Sequence, residues 1–154
     1  EVSLSSASGE RSVALCDFYT GYKQSAKRAD ELLTSMSWTV PAENSANLFY
    51  KLARRKGDAI TVTGVAVMIA AQDGRCTSAR IALGSVGPTV FRAINAEEIL
   101  TGKALDKNII EQAARAAADQ CSPIDDIRAS AGYRLQTAFS LSRRLLTQAW
   151  QQVA

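Results

Sequence analysis

The sequence predicts an α+β fold: an antiparallel sheet of three or four strands, covered on one face by C-terminal helices. Residues 31–86 alternate apolar and polar side chains or run β-branched, whereas residues 89–151 repeat their apolar residues at helical spacing. Strands grouped before helices pack as a helix layer on a sheet. The chain shows no internal repeat, coiled-coil heptad or low-complexity tract that would favour another architecture.

Residues 1–30 are polar apart from the cluster Val13, Ala14, Leu15, Cys16, Phe18 and Tyr19. Val2 and Leu4 alternate with serines, which predicts one short edge strand; Gly9-Glu10 marks a turn, and a short helix is expected around residues 17–22. Leu32, Met36, Trp38 and Val40 predict a half-buried strand ended by Pro41, which cannot donate to a ladder. A turn is expected at residues 44–47 and a second strand at residues 48–52, followed by the charged connection Arg54-Arg55-Lys56-Gly57-Asp58. Residues 60–70 are rich in β-branched side chains, as strands favour. Asp73-Gly74 is a hairpin signal, and residues 77–84 return with Ala79, Ile81 and Leu83 on one face.

Residues 97–102 read as a short helix stopped by Gly102. Asp106 caps the next, whose apolar stripe is Ile109, Ile110, Ala113, Ala114 and Ala117. After Pro123, Ile127, Ala131, Leu135, Ala138, Leu145 and Ala149 describe a long helix, with Arg128, Arg134, Arg143 and Arg144 mostly off its apolar face.

Composition limits the chemistry. The chain has 154 residues, 47% of them apolar and 21% charged, which suits one domain or one domain with a ragged end. A net charge of +3 is too small to argue for nucleic acid. The sequence contains no histidine, which excludes histidine-based triads and imidazole metal ligands. Cys16, Cys76 and Cys121 are far apart and form no CxxC pair, against a disulfide framework, a zinc site or an iron–sulfur cluster. They read as buried or half-buried thiols in a reducing cytoplasm. The longest mainly apolar stretch, residues 60–71, is shorter than the about 20 residues a membrane span needs. A start at Glu1 without methionine or leader features suggests a fragment or a processed end.

No phosphate-loop motif is present. Gly84-Ser85-Val86-Gly87-Pro88 reads first as a tight strand-to-helix turn needing positive φ, and second as a small anion nest. Asp125 and Asp126 are adjacent and read as capping groups. The basic run Arg54-Arg55-Lys56 reads as a solvated surface or a patch that meets a partner subunit. Lys51 lies within an apolar strand beside Tyr50. It either points to water or, on the core side, requires an anion to offset its burial.

Six segments in order resemble the end of the FAD-binding medium chain of molybdenum hydroxylases, the xanthine dehydrogenase and carbon monoxide dehydrogenase family. Residues 9–22 resemble its GER-x-V-x-L-x-DFF-x-GY segment, and Asp30-Glu31-Leu32-Leu33 its P-x-E-hydrophobic-L, with Ala29 where proline is common. Residues 49–55 are similar to F-x-K-x-x-R-R, residues 79–89 to ARIALGGVAPTP, and Arg92-Ala93 with residues 97–102 to R-A-x-x-A-E-x-x-L-x-G. Residues 123–134 resemble P-I-x-D-x-R-A-S-A-x-Y-R.

The resemblance implies that residues 1–30 are the tail of an upstream FAD-binding domain and that residues 31–154 form the CO dehydrogenase flavoprotein C-terminal-like domain. It implies a subunit that passes electrons from iron–sulfur clusters through FAD to an acceptor. The molybdopterin would sit on a large subunit and the [2Fe-2S] clusters on a small one. Leu33 and Lys51 match the family's FAD-contacting positions. Arg128, Tyr133 and Arg134 have no assigned contact and are candidates for a subunit interface or for helix-surface structure. The other readings are a non-catalytic assembly or adaptor domain that only packs subunits together and, third, a basic nucleic-acid binder.

Overall fold

The computed structural model describes residues 1–55, 57 and 59–154, so Lys56 and Asp58 of the charged connection lie outside the described residues. The chain forms two compact units, Glu1–Val40 and Pro41–Ala154.

The first unit is a three-stranded antiparallel sheet in the order β2-β1-β3. Its strands are β1 (Val2–Ser6), β2 (Gly9–Val13) and β3 (Leu32–Met36), with the single-turn helix α1 (Leu15–Phe18) between β2 and β3. The expected edge strand at Val2 and Leu4 is therefore the central strand, and both residues are buried with Phe18. Glu31 locks the unit: Arg11 donates to its two carboxylate oxygens at 2.6 and 2.9 Å, and the Arg28 N–H donates at 2.7 Å. These bonds, the Arg11 guanidinium first, hold the buried Glu31 carboxyl down at about 2, below the usual 4.5.

Two expectations change here. Leu32, Met36, Trp38 and Val40 do alternate, but all four are exposed, Trp38 to 81%. Alternation sets which face a side chain takes, and burial requires a second layer over that face. The strand also ends at Met36 and pairs with β1, so it belongs to this small sheet and not to the larger one. The compact units divide after Val40, because β3 completes the first sheet.

The second unit is a four-stranded antiparallel sheet in the order β4-β5-β6-β7. It comprises β4 (Ser45–Ala53), β5 (Thr61–Gln72), β6 (Arg75–Gly84) and the short β7 (Phe91–Arg92). β5 and β6 meet through Asp73 and Gly74 at φ 51° and 68°, a two-residue turn with both φ positive that matches the strands' right-handed twist. The turn expected at residues 44–47 is mostly absorbed into β4, and Asn44 Nδ2 instead donates to the Ala71 carbonyl at 2.9 Å.

Helices α2 (Ile94–Leu100), α3 (Lys107–Asp119) and α4 (Ala131–Val153) follow. Asp106 caps α3, accepting from the Ile109 N–H at 2.7 Å, and Ser130 caps α4, accepting from Tyr133 N–H at 3.2 Å. Gly102, at φ 81°, terminates α2 as expected. The core joins Val65, Val67 and Ile69 of β5 and Ala79, Ile81 and Leu83 of β6 to Leu100, Ile110, Ala113, Leu145 and Leu146. The sheet residues in that core occupy alternate positions, so one sheet face carries it and the other does not. Ile127 lies before α4 and is exposed, and Leu135 is partly exposed, so neither belongs to the helix's buried stripe. Arg134 does, at only 4% exposure. Cys16 is exposed, unlike buried Cys76 and half-buried Cys121, whose thiol burial and Asp119 push up to about 11.

Candidate functional site

Lys51 sits on the sheet face turned away from the core. Its neighbours in β4 settle the face: Leu48 and Leu52 pack against the core cluster, and Tyr50 lies under the Arg144 guanidinium of α4. Alternation then turns Phe49 and Lys51 to the opposite side, where both are exposed. Lys51 pairs with Gly64 of β5, which pairs with Gly84 of β6. Phe49 pairs with Ala66, and Ala66 with Ala82.

The result is a flat floor of glycine and alanine, bordered by an aromatic ring and a primary ammonium. A Cβ at Gly84 would meet nothing nearer than Val90 at 3.5 Å, and one at Gly64 only ordinary contacts from 3.5 Å outward. The side chains of Val90, Thr61 and Phe49 thus stand at contact distance from the two glycines, and Gly64 is buried. Lys51 makes no hydrogen bond or ion pair among the described residues. What the surface offers an anionic group is the exposed Lys51 ammonium beside the Phe49 ring. Its residues fit one contact of an FAD and not a whole pocket. Of the two readings open for Lys51, the structure selects the exposed one, so no buried charge has to be offset.

Leu33 lies in the first unit, on β3 opposite Leu4, and is exposed.

The Gly84–Pro88 turn serves as a junction. Its positive φ falls on Ser85, at 64°, and not on Gly84 or Gly87. The Ser85 carbonyl accepts from Arg134 at 2.8 Å, and the Val86 carbonyl accepts from Ser122 N–H at 2.9 Å. Helix α2 begins only at Ile94 and has seven residues, so the turn does not feed a helix N-terminus that could hold an anion.

Arg134 is a buried clamp. One Nη1 donates to the carbonyls of Val62 and Ser85, and Nη2 donates to Asp126 at 2.9 Å. Asp126 also accepts from the N–H groups of Arg128 and Ala129 and from the Arg128 guanidinium. Burial alone would raise the Asp126 carboxyl, but these four donors, Arg134 foremost, outweigh it and hold it well below the usual range. Of the three interface candidates, Tyr133 is exposed, Arg128 is partly exposed, and Arg134 is turned inward and shares the Asp126 carboxylate with Arg128. The helical spacing held a signal for this: Arg134 stands four residues before buried Ala138 and seven before Leu141.

Among the described residues, no group of three or more His, Cys, Asp or Glu side chains converges as a metal site, and no helix is long and apolar enough to cross a membrane.

An antiparallel sheet with helices on one face defines a two-layer α+β domain. The chain belongs to the CO dehydrogenase flavoprotein C-terminal domain family, whose model matches residues 48–149. It is 34% identical over 146 residues to the carbon monoxide dehydrogenase medium chain of Afipia carboxidovorans, covering 95% of this chain and 50% of that one. It is 32% identical to the nicotine 6-hydroxylase medium subunit of Paenarthrobacter nicotinovorans, covering 96% of this chain and 51% of the relative. Among solved structures it matches a carbon monoxide dehydrogenase of Hydrogenophaga pseudoflava lacking the Mo-pyranopterin moiety of its cofactor. That match has a TM-score of 0.94 at 32% identity, over 99% of this chain and 53% of the other. The chain thus spans about half the length of the curated relatives it matches.

Proposed function

We propose that the chain is part of the FAD-binding electron-transfer subunit of a molybdenum-dependent hydroxylase or dehydrogenase. Membership of a flavoprotein domain family carries this reading, and the exposed Lys51 over the Gly64 and Gly84 floor supports it. When bound, FAD would take electrons from iron–sulfur clusters and deliver them to an acceptor. This chain's own part is narrower. Lys51 would place a positive charge against the anionic reduced ring or a phosphate, and Leu33 would pack against the cofactor.

In the same reading, residues 1–30 are the tail of an upstream FAD domain. Molybdopterin sits on a large partner subunit and [2Fe-2S] clusters on a small one. The assembly works in the cytoplasm, and the isolated chain is inactive. The relatives named as medium chains or medium subunits support a multisubunit setting.

The test is Lys51→Met in the assembled enzyme. A charge-assisted contact contributes about 1.5–3 kcal/mol, so FAD should bind roughly tenfold or more weakly, or the flavin potential should move to more negative values. Unchanged FAD content together with an unchanged potential sinks the Lys51 assignment. The adaptor reading predicts no flavin in the assembled subunit at all.

A further inference from the structure

One buried guanidinium holds two irregular backbone positions, and both flank the strand row that carries Lys51. The first is a β-bulge. Leu52 pairs with Thr63 and Ala53 with Thr61, so Val62 is an extra residue on β5, and it has no partner on β6 either. A bulge bends its strand, increases the local twist and re-aims neighbouring side chains. The second is Ser85, which follows β6 at φ 64°, a left-handed conformation that a non-glycine residue seldom adopts. Arg134 Nη1 donates to the Val62 carbonyl and, at 2.8 Å, to the Ser85 carbonyl. Thr137, one turn further along α4, meets the Thr63 hydroxyl at 2.8 Å.

Between these two held points lies the row Lys51, Gly64 and Gly84. Val62 stands two residues before Gly64, and Ser85 one residue after Gly84. Glycine weakens a strand, because it brings no side chain to pack and loses more freedom on ordering. The geometry of this row must therefore be imposed from beside it. Arg134 is placed to do so from the helix side of the sheet, while Lys51 projects from the other side. The arginine is 4% exposed, its Nε has no hydrogen-bond partner among the described residues, and its charge is met by Asp126. A buried ion pair is a weak source of stability compared with apolar packing. What the planar guanidinium adds is donors in a fixed geometry.

We propose that Arg134 is the positioning residue of the Lys51 contact. By fixing the Val62 bulge and the Ser85 turn it sets the direction in which β4 presents the ammonium, and Thr137 supports it through Thr63. The inference rests on the flavin reading given above and adds to it a residue on the far side of the sheet, one that acts through the backbone alone.

The test is a double-mutant cycle in the assembled enzyme: wild type, Lys51→Met, Arg134→Lys and the two together, each assayed well below its thermal unfolding transition. The readouts are FAD affinity and flavin midpoint potential. Arg134→Lys should approach the roughly tenfold loss of FAD affinity expected of Lys51→Met. In the Lys51→Met background it should add nothing, because its effect passes through that ammonium. Thr137→Val leaves the arginine and its ion pair in place, and should move the same readout in the same direction by a smaller factor, again only where Lys51 is intact. Wild-type affinity and potential in a folded Arg134→Lys enzyme overturn the inference. So does a double variant whose loss is the product of the two single losses, since Arg134 then acts on the fold and not on Lys51. If Arg134→Lys does not assemble, Thr137→Val decides: no change, or the same change with and without Lys51, overturns the inference. If Lys51→Met itself moves neither readout, the Lys51 assignment falls and takes this inference with it, and an assembled enzyme that holds no flavin removes the flavin reading altogether.

Discussion

The guanidinium of Arg144 on α4 lies 4.2 Å from the centre of the Tyr50 ring on β4. One side of β4 is thereby held to the helix layer, and the strand's alternation turns Lys51, the next residue, to the other side. A cation over an aromatic ring at a partly exposed site contributes about 0.5–1 kcal/mol. Arg144→Met should lower the unfolding free energy by about that amount in urea, with an unchanged m-value. A loss of several kcal/mol would mean that Arg144 does more than cover Tyr50.

Arg134→Met should be far more damaging. It strips donors from the Asp126 carboxylate and from the Val62 and Ser85 carbonyls at once. Breaking a buried ion pair by removing one partner costs about 3–5 kcal/mol. Lysine should not rescue it, since a single ammonium cannot reproduce the guanidinium fork. Equilibrium unfolding of both variants gives the answer, and a loss below 1 kcal/mol for Arg134→Met would show the clamp to be dispensable.

Acid should weaken the first unit through Glu31. Its folded value of about 2 lies below the ordinary 4.5, so the folded state favours the ionised form. That contribution is fully present above the ordinary value, and it is lost as pH falls from there towards about 2. Glu31→Gln should therefore be less stable than wild type at pH 7, and the gap should narrow by pH 3. A gap that does not change between those two pH values contradicts the ion-pair account.

The Ser142 hydroxyl is fully buried in the helix layer and has no hydrogen-bond partner among the described residues. Leaving a buried hydroxyl unsatisfied costs about 1–3 kcal/mol. Ser142→Ala should be neutral or stabilising by up to about 1 kcal/mol, read as a rise in Tm. A clear drop in Tm would reveal a partner for the hydroxyl.

Much of the fold was readable because its signals are local. The Asp73-Gly74 turn, the β-branched run before it and the Asp106 cap each depend on neighbours a few residues away. The exposure of Trp38 and Val40 was not readable, since alternation cannot say whether a second layer exists. Arg134 was misplaced because an arginine on a helix is assigned to water by default, although its spacing to Ala138 and Leu141 put it in the buried stripe. The orientation of Lys51 was half legible: its alternation with Leu48, Tyr50 and Leu52 separates two faces, and only the helices decide which of them is covered. Ile127 was assigned to the helix by its spacing from Ala131, whereas the Ser130 cap leaves it outside.

Strand β4 is also the edge of its sheet, and Lys51 is its one charged residue in Ser-Ala-Asn-Leu-Phe-Tyr-Lys-Leu-Ala. An uncharged edge strand is a template for edge-to-edge aggregation, and a lysine is a common guard against it. At this edge the exposed ammonium therefore disfavours pairing of the outward backbone groups with another chain. Lys51→Arg keeps a charge at the edge and should leave solubility unchanged, whereas Lys51→Met should lower it.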